Sequence, residues 1–155
     1  MATYNEQLQH LVDRFFEETK ATRATKLEIA GWMLREDLWK PPPEMILRKA
    51  AEDLARAMRE DYYIDPQGRH VRVKHAARIV EDGVQSTFWA DLRFASEQHM
   101  EIALKQRRTQ VVADCHQLKM DVDSYNQNRK PAKPIQMSFD FTLDLEEMDA
   151  VAGAA

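Results

Sequence analysis

The sequence has few of the residues that mark disulfide-bonded, zinc-binding or membrane-spanning proteins. Its 155 residues include one cysteine, Cys115, and only four glycines. A single cysteine cannot form an internal disulfide or a CxxC zinc site, so we expect a reducing compartment, namely the cytoplasm.

No run approaches the roughly 20 apolar residues of a membrane span. The first residues, MATYNEQLQHL, lack the charged-then-apolar order of a signal peptide, so we expect no membrane partner.

The local motifs of common enzymes are also missing. The chain contains no GxGxxG, GxxxxGK[ST], HExxH or GxSxG. Its five histidines are scattered, and Cys115 and His116 are neighbours whose side chains would point about 100° apart on a helix, which does not make a nucleophile–base pair. We therefore expect no catalytic residues, no metal ligands and no cofactor. The chain is interpreted as a protein that binds other macromolecules.

Charge is distributed unevenly along the chain. The formal net charge is −4, but all 22 basic side chains and all but five of the 26 acidic ones lie in residues 1–134. Residues 135–155 hold five acidic side chains and no Lys or Arg. The acidity therefore belongs to the tail, and the remaining chain can present a local basic surface to a nucleic acid.

Apolar residues at helical spacing predict three helices in the first 61 residues. Capping-box pairs, Thr3 with Glu6 and Thr25 with Glu28, mark the starts of the first two. Prolines 41 to 43 stop the second helix, and the last of them opens the third, over about 43–61. The outer face of this third helix is net positive. Three of its cations are candidate DNA-binding residues: Arg48, Lys49 and Arg56.

A hairpin is predicted after the third helix. Residues 62–64 favour a strand, residues 65–68 a type I turn and residues 69–75 a second strand, in which Val71 and Val73 face one way and His70, Arg72 and Lys74 the other. Residues 66–80 contain four basic side chains and no acidic one. This adds three candidate DNA-binding residues: Arg69, Arg72 and Lys74. A turn at 81–83 and a further strand over 84–92 follow.

This order of three helices and a hairpin resembles the winged helix-turn-helix DNA-binding proteins. Residues 4–80 carry the resemblance, with 25–34 as the positioning helix, 44–61 as the recognition helix and 62–74 as the wing. It implies that the third helix enters the major groove of double-stranded DNA and that the wing lies along the backbone or minor groove. The alternative is that the helix and the hairpin only expose polar faces to solvent.

A long helix without Gly or Pro is predicted over 96–126, with Ser96 as its cap. Its apolar residues follow the alternating four-and-three spacing of a short coiled coil. The stripe predicted to mediate dimerisation comprises Leu104, Val111, Cys115, Leu118 and Val122. We expect a homodimer, with packing of this stripe on the N-terminal domain as the alternative.

The last residues are predicted to be a linker, a short apolar peptide and an acidic tail. Residues 126–134 are polar and contain two prolines, which favours an extended linker. Residues 135–141 alternate large apolar and polar side chains, as a strand does. Residues 136–141 resemble the peptides with which bacterial replication and repair proteins bind the sliding clamp. The resemblance implies a partner-binding role for Gln136, Met137, Phe139 and Phe141. Docking on its own protein and disorder are the alternatives.

These patterns together predict a mainly α protein with a small β-hairpin or sheet, in the α+β class. The expected organisation is a winged-helix-like domain over 1–95, a long helix over 96–126 and a flexible tail over 127–155. The preferred function is that of a non-enzymatic, dimeric DNA-binding regulator or accessory factor. The alternative is a protein–protein adaptor that uses the long helix and the C-terminal peptide.

Overall fold

Five helices and two antiparallel hairpins make up the chain in a computed structural model, which describes residues 1–154. The helices are α1 (Tyr4–Thr19), α2 (Lys26–Arg35), α3 (Met45–Arg59), α4 (Glu97–Arg129) and α5 (Thr142–Ala154). The strands are β1 (Tyr62–Ile64), β2 (His70–Arg72), β3 (Lys74–Glu81) and β4 (Val84–Asp91). This combination confirms the predicted α+β class. The chain divides into two compact units, an N-terminal unit (Met1–Ala55) and a C-terminal unit (Arg56–Ala155), which are described separately.

Both predicted capping boxes are present in the N-terminal unit. The Thr3 hydroxyl accepts a hydrogen bond from the Glu6 amide at 3.2 Å, and the Glu6 carboxylate accepts one from the Thr3 amide at 2.6 Å. Thr25 and Glu28 repeat this geometry. The bonds satisfy amides that have no helical partner. The bond from the backbone of each threonine lowers the pKa of the glutamate that accepts it.

The core of the N-terminal unit joins α1 to α2. Phe15, Trp32 and Met33 are buried, and the rings of Phe15 and Trp32 meet edge to face with centroids 5.6 Å apart. Trp39, which follows α2, donates its indole N–H to the hydroxyl of Tyr4 at 3.0 Å. Burying a large apolar side chain stabilises a fold by about 1.5–3 kcal/mol, so these few residues account for the pairing of the two helices.

Helix α3 is amphipathic but supplies no buried residue. On its apolar side Ile46 is 84% exposed, and Leu47 and Leu54 are exposed as well. The helix itself lies where the sequence predicts it, beginning two residues after Pro43 and ending at Arg59. The winged helix-turn-helix resemblance of residues 4–80 stays a prediction.

In the C-terminal unit, two hairpins meet at Val73. Strands β1 and β2 pair with Tyr62 opposite Arg72, while β3 and β4 pair along their whole length, from Lys74 opposite Asp91 to Glu81 opposite Val84. Val73 is buried; its N–H donates to the Asp61 carbonyl at 2.9 Å, and its carbonyl accepts from the Leu92 amide at 2.7 Å. The prediction of one strand over 69–75 is therefore wrong, because Val73 bonds to two different neighbours and divides it.

The turns of both hairpins are formed as their sequences predict. Gly68 and Gly83 have φ angles of 84° and 77°, a left-handed conformation that glycine adopts without steric cost. Strand β4 confirms the strand expected over 84–92. The part of β3 beyond His75 was not predicted.

Helix α4 starts at Ser96, whose hydroxyl accepts from the His99 amide at 3.1 Å, and its first turns pack on β3. Ala103 of the helix and Ala77 of the strand are both buried. The side-chain amide of Gln106 bonds both backbone groups of Arg78, at 2.8 and 2.9 Å, and so caps the free edge of β3. The helix continues to Arg129, so residues 126–129 belong to it and not to the extended linker that was predicted.

The segment after α4 returns to that helix. The Asn126 side chain accepts from the Ile135 amide at 3.0 Å and donates to the Ile135 carbonyl at 2.8 Å, as a neighbouring strand would. Residues 135–141 form neither helix nor strand, and the side chain of Asn126 supplies the pairing to Ile135. Docking of this segment as an extended strand, on a sheet edge of a dimer or in the groove of a partner, stays a prediction. The acidic residues that follow lie on α5, which has no buried residue.

Candidate nucleic-acid interface

One face of the β1–β2 hairpin brings together two rings and an arginine. The register places Tyr62 and Ile64 opposite Arg72 and His70, so these four side chains share a face. The rings of Tyr62 and His70 stack with centroids 4.5 Å apart and planes inclined by 10°. The Arg72 guanidinium donates to the Tyr62 hydroxyl at 3.4 Å. None of the four side chains is acidic.

A second guanidinium reaches this face from α4. Arg107 lies close enough to Arg72 and Tyr62 to be affected by both. Burial is the main cause that lowers the pKa of Arg107, the positive charge of Arg72 lowers it further, and Tyr62 opposes them. Within residues 1–154, neither Arg72 nor Arg107 forms an ion pair with a carboxylate. We call Tyr62, His70, Arg72 and Arg107 the aromatic–arginine face.

Two buried histidines are connected to the backbone of Arg72 by successive hydrogen bonds. The His75 ring donates from Nε2 to the Arg72 carbonyl at 3.0 Å, and the His99 ring donates from Nε2 to the His75 carbonyl at 2.9 Å. A carbonyl oxygen only accepts, so we assign the proton to Nε2 in both rings. Burial lowers the pKa of His75, its bond to Arg72 opposes this, and the charges of Arg107 and Arg72 lower it further. The backbone of Arg72 is thereby held by a neutral imidazole.

The other two predicted cations of the hairpin have carboxylate partners. Arg69 pairs with Asp65 at 2.8 Å across the turn. Lys74 lies 3.5 Å from Asp91 and 3.9 Å from Asp61. Their positive charges are largely compensated within the protein. Of the three predicted hairpin cations, Arg72 is therefore the most available to bind an external anion.

The predicted cations of α3 are exposed. Lys49 pairs with Asp53 along the helix, whereas Arg48 has no ion-pair partner in the described chain. Arg56 is exposed one turn before the end of the helix. Arg48 and Lys49 belong to the N-terminal unit, and Arg56, Arg69, Arg72 and Lys74 belong to the C-terminal unit.

The stripe predicted for dimerisation is open along most of α4. Leu104, Val111 and Leu118 are exposed, and Cys115 is half-buried. Val122 is also half-buried; it lines a cavity of about 270 Å³ together with residues of the returning C-terminal segment. The structure therefore leaves three residues of the stripe uncovered, namely Leu104, Val111 and Leu118.

The residues of the clamp-binding-like peptide lie against α4 of the same chain. Gln136, Met137 and Phe139 line the cavity with Lys119, Val122 and Asp123. The rings of Phe139 and Phe141 meet edge to face at 6.4 Å. Contact with a separate partner would require at least Met137 and Phe139 to leave α4.

Sequence reasoning missed three of the four residues of the aromatic–arginine face. Tyr62 and His70 could have been found from the hairpin register, since the turn at 65–68 fixes which residues share a face. Arg107 could not, because it reaches Arg72 only through the packing of α4 on β3. No local pattern in the sequence predicts the packing of α4 on β3.

Other possible sites are less well defined. An open cavity of about 970 Å³ in the N-terminal unit is lined by Tyr4, Trp39, Pro42 and residues from the first turns of α3. In the part of the chain that the structure describes, no three His, Cys, Asp or Glu side chains are grouped to hold a metal ion. None of the helices within residues 1–154 combines the length and the apolar character that crossing a membrane demands.

The comparisons with known proteins give no match. The chain matches no protein-family model, and neither the curated proteins nor the solved structures contain a significant match to it.

Proposed function

We propose that the protein is a non-enzymatic DNA-binding protein, a regulator or accessory factor, that contacts phosphate groups through the aromatic–arginine face. The observation that carries this proposal is the position of Arg72 beside the exposed ring of Tyr62, without an ion pair to a carboxylate in the described chain. The positive charge of Arg107 on α4 adds to the charge of this face. Two neighbouring guanidinium groups repel each other, and a phosphate bound to both removes that repulsion. Guanidinium groups also match phosphate oxygens in geometry and donate charge-assisted hydrogen bonds to them.

The position of Arg72 agrees with the winged-helix resemblance. Arg72 lies on the hairpin that corresponds to the wing, the part expected to follow the DNA backbone. Because most neighbouring cations are paired with carboxylates, we expect few phosphate contacts, weak binding and a shallow slope of log K against log salt. The proposed binding is weak at high ionic strength and measurable at low ionic strength.

Substitution of both arginines tests the proposal. In a fluorescence anisotropy titration of a labelled DNA duplex at ~50 mM salt, we expect the variant R72Q/R107Q to bind at least roughly tenfold more weakly than the wild type. Two lost phosphate contacts should also reduce the slope of log K against log salt by about 2. Arg69→Gln removes one positive charge from the hairpin that carries Arg72, but Asp65 already compensates Arg69. It should change affinity much less, and equal affinity of R72Q/R107Q and wild type would refute the proposal.

We further propose that two copies pair through α4. The exposed residues Leu104, Val111 and Leu118 repeat at seven-residue intervals, and this spacing lets identical helices interdigitate their apolar side chains. A dimer would present two aromatic–arginine faces to one DNA molecule, which strengthens binding without any new contact.

The second candidate function is that of a protein–protein adaptor. It rests on the exposed stripe of α4 and on the C-terminal peptide, where Met137 and Phe141 are about half exposed even when the peptide lies against α4. In this case a partner, such as a sliding clamp, would take up the peptide. Failure of the wild type to bind any DNA at ~50 mM salt would favour this function.

A further inference from the structure

We infer that the aromatic–arginine face takes single-stranded DNA, with an unpaired base stacked on the Tyr62–His70 ring pair and a phosphate held by Arg72 and Arg107. This inference rests on the proposed DNA-binding function and names the class of DNA that the face recognises. It goes beyond phosphate binding because phosphates are present on every nucleic acid, whereas free base faces are not.

The ring pair has the geometry of a stacking platform. Its two planes are inclined by only 10°, so the outer surfaces are parallel and a third flat ring can extend the stack. Tyr62 is 40% exposed and His70 is also exposed. Inside a duplex each base is covered by its neighbours above and below, so an unpaired base offers these rings a free face that an interior base pair does not.

This face of the β1–β2 hairpin is open to solvent, and the opposite face is the packed one. The opposite face carries Tyr63 and Val71, both half-buried, and the guanidinium of Arg93 lies 5.0 Å from the centre of the Tyr63 ring. Ile64, on the same side as Tyr62 and His70, is exposed. A purely structural ring pair would be expected on the packed side, whereas this one lies on the open side together with an apolar neighbour.

Arg72 lies beside the ring pair, where its guanidinium can bind the phosphate of a nucleotide whose base is stacked on the rings. Arg72 donates a hydrogen bond to the hydroxyl of Tyr62, and Arg107 interacts electrostatically with the same residue. Aromatic side chains that hold bases, flanked by cations that hold the backbone, are the combination that binds single strands with little sequence preference. The rings supply the discrimination and the arginines supply the attraction.

Affinity for matched probes tests the inference. A labelled oligodeoxythymidylate of about 15 nucleotides and a duplex of equal length are titrated with the full chain at ~50 mM salt. Because one stacked base contributes roughly 1–3 kcal/mol, the single strand should bind about 5- to 150-fold more tightly. Tyr62→Leu keeps the apolar bulk and removes the ring. It should abolish the preference for the single strand.

Tyr125→Leu is the matched control, since Tyr125 is 42% exposed and lies on α4 at a distance along the chain from the hairpin. It should preserve the preference. His70→Gln removes the other ring and should weaken single-strand binding in the same way, so the test does not depend on one variant folding. In the wild type, a single strand containing 2-aminopurine should lose fluorescence on binding, as stacked 2-aminopurine does.

The outcomes separate the inference from the proposed function. Equal binding of single strand and duplex, with no effect of Tyr62→Leu and a loss for R72Q/R107Q, would leave phosphate binding intact and overturn the stacking platform. Absence of binding to either probe would overturn both. A preference that survives both ring substitutions would also exclude Tyr62 and His70 as its source.

Discussion

The buried imidazole of His75 helps to fix the position of Arg72 through a hydrogen bond to its backbone. Its imidazole donates to the Arg72 carbonyl, and burial lowers its pKa below the ordinary value of 6.5. The unfolded chain therefore takes up a proton at a pH where the folded chain does not. By linkage, stability is complete above about pH 6.5 and falls as the pH drops from there toward the lowered pKa of the folded state.

This dependence on pH is open to a direct measurement. Urea unfolding of the wild type should show a lower midpoint at about pH 5.5 than at about pH 7.5. His75→Gln keeps a donor for the Arg72 carbonyl but cannot be protonated, so the difference between the two midpoints should become smaller. His116→Gln, an exposed position on α4, is the control and should keep the difference of the wild type. An unchanged difference in His75→Gln would show that another group titrates.

The elements that the sequence predicts well are those whose ends are set by neighbouring residues. Thr3, Thr25 and Ser96 each cap a helix with a bond to a residue three positions ahead, and Gly68 and Gly83 set the hairpin turns. The break at Val73 is different. It depends on bonds to Asp61 and Leu92, 12 and 19 positions away, which no local pattern reveals.

The residues of the candidate site likewise divide into those that a local sequence pattern indicates and those that depend on long-range packing. The sequence identified Arg72 from the lack of acidic residues around it, but it ranked Arg69 and Lys74 equally, because the pairing of Lys74 with Asp61 and Asp91 requires the folded sheet. Arg107 enters the site only when α4 packs on β3. Long-range packing therefore decides which of the many cations of this chain have no carboxylate partner and can bind a ligand.

At the scale of elements, the contact of the C-terminal segment with α4 depends on one side chain. Asn126→Ala removes both hydrogen bonds to Ile135. We expect the amides of residues 135–141 to exchange with deuterium faster, and stability to fall by roughly 1–3 kcal/mol, since each of the two bonds contributes about 0.5–1.5 kcal/mol. Asn128→Ala, whose side chain bonds only within the helix to Ser124, should leave this exchange unchanged. Equal exchange in both variants would mean that apolar contacts alone hold the segment.

At the scale of the whole molecule, the open stripe on α4 predicts association. Light scattering should give a mass of twice 18.1 kDa for the wild type. The double substitution of Val111 and Leu118 by Glu, which places charges in the stripe, should give the monomer mass. Met120 is equally exposed on α4 but lies outside the stripe, so Met120→Glu should remain dimeric. A monomer mass for the wild type at high concentration would rule out the pairing.

The position of Val73 has a consequence for the order in which the C-terminal unit folds. Its amide is satisfied only when the chain before β1 is in place, and its carbonyl only when the chain after β4 is in place. A chain with one hairpin formed would either bury Val73 with a polar group that has no partner, at a cost of about 1–3 kcal/mol, or leave Val73 in water without the stabilisation of its burial. The two hairpins are therefore expected to appear together, in a single kinetic phase without a populated one-hairpin intermediate.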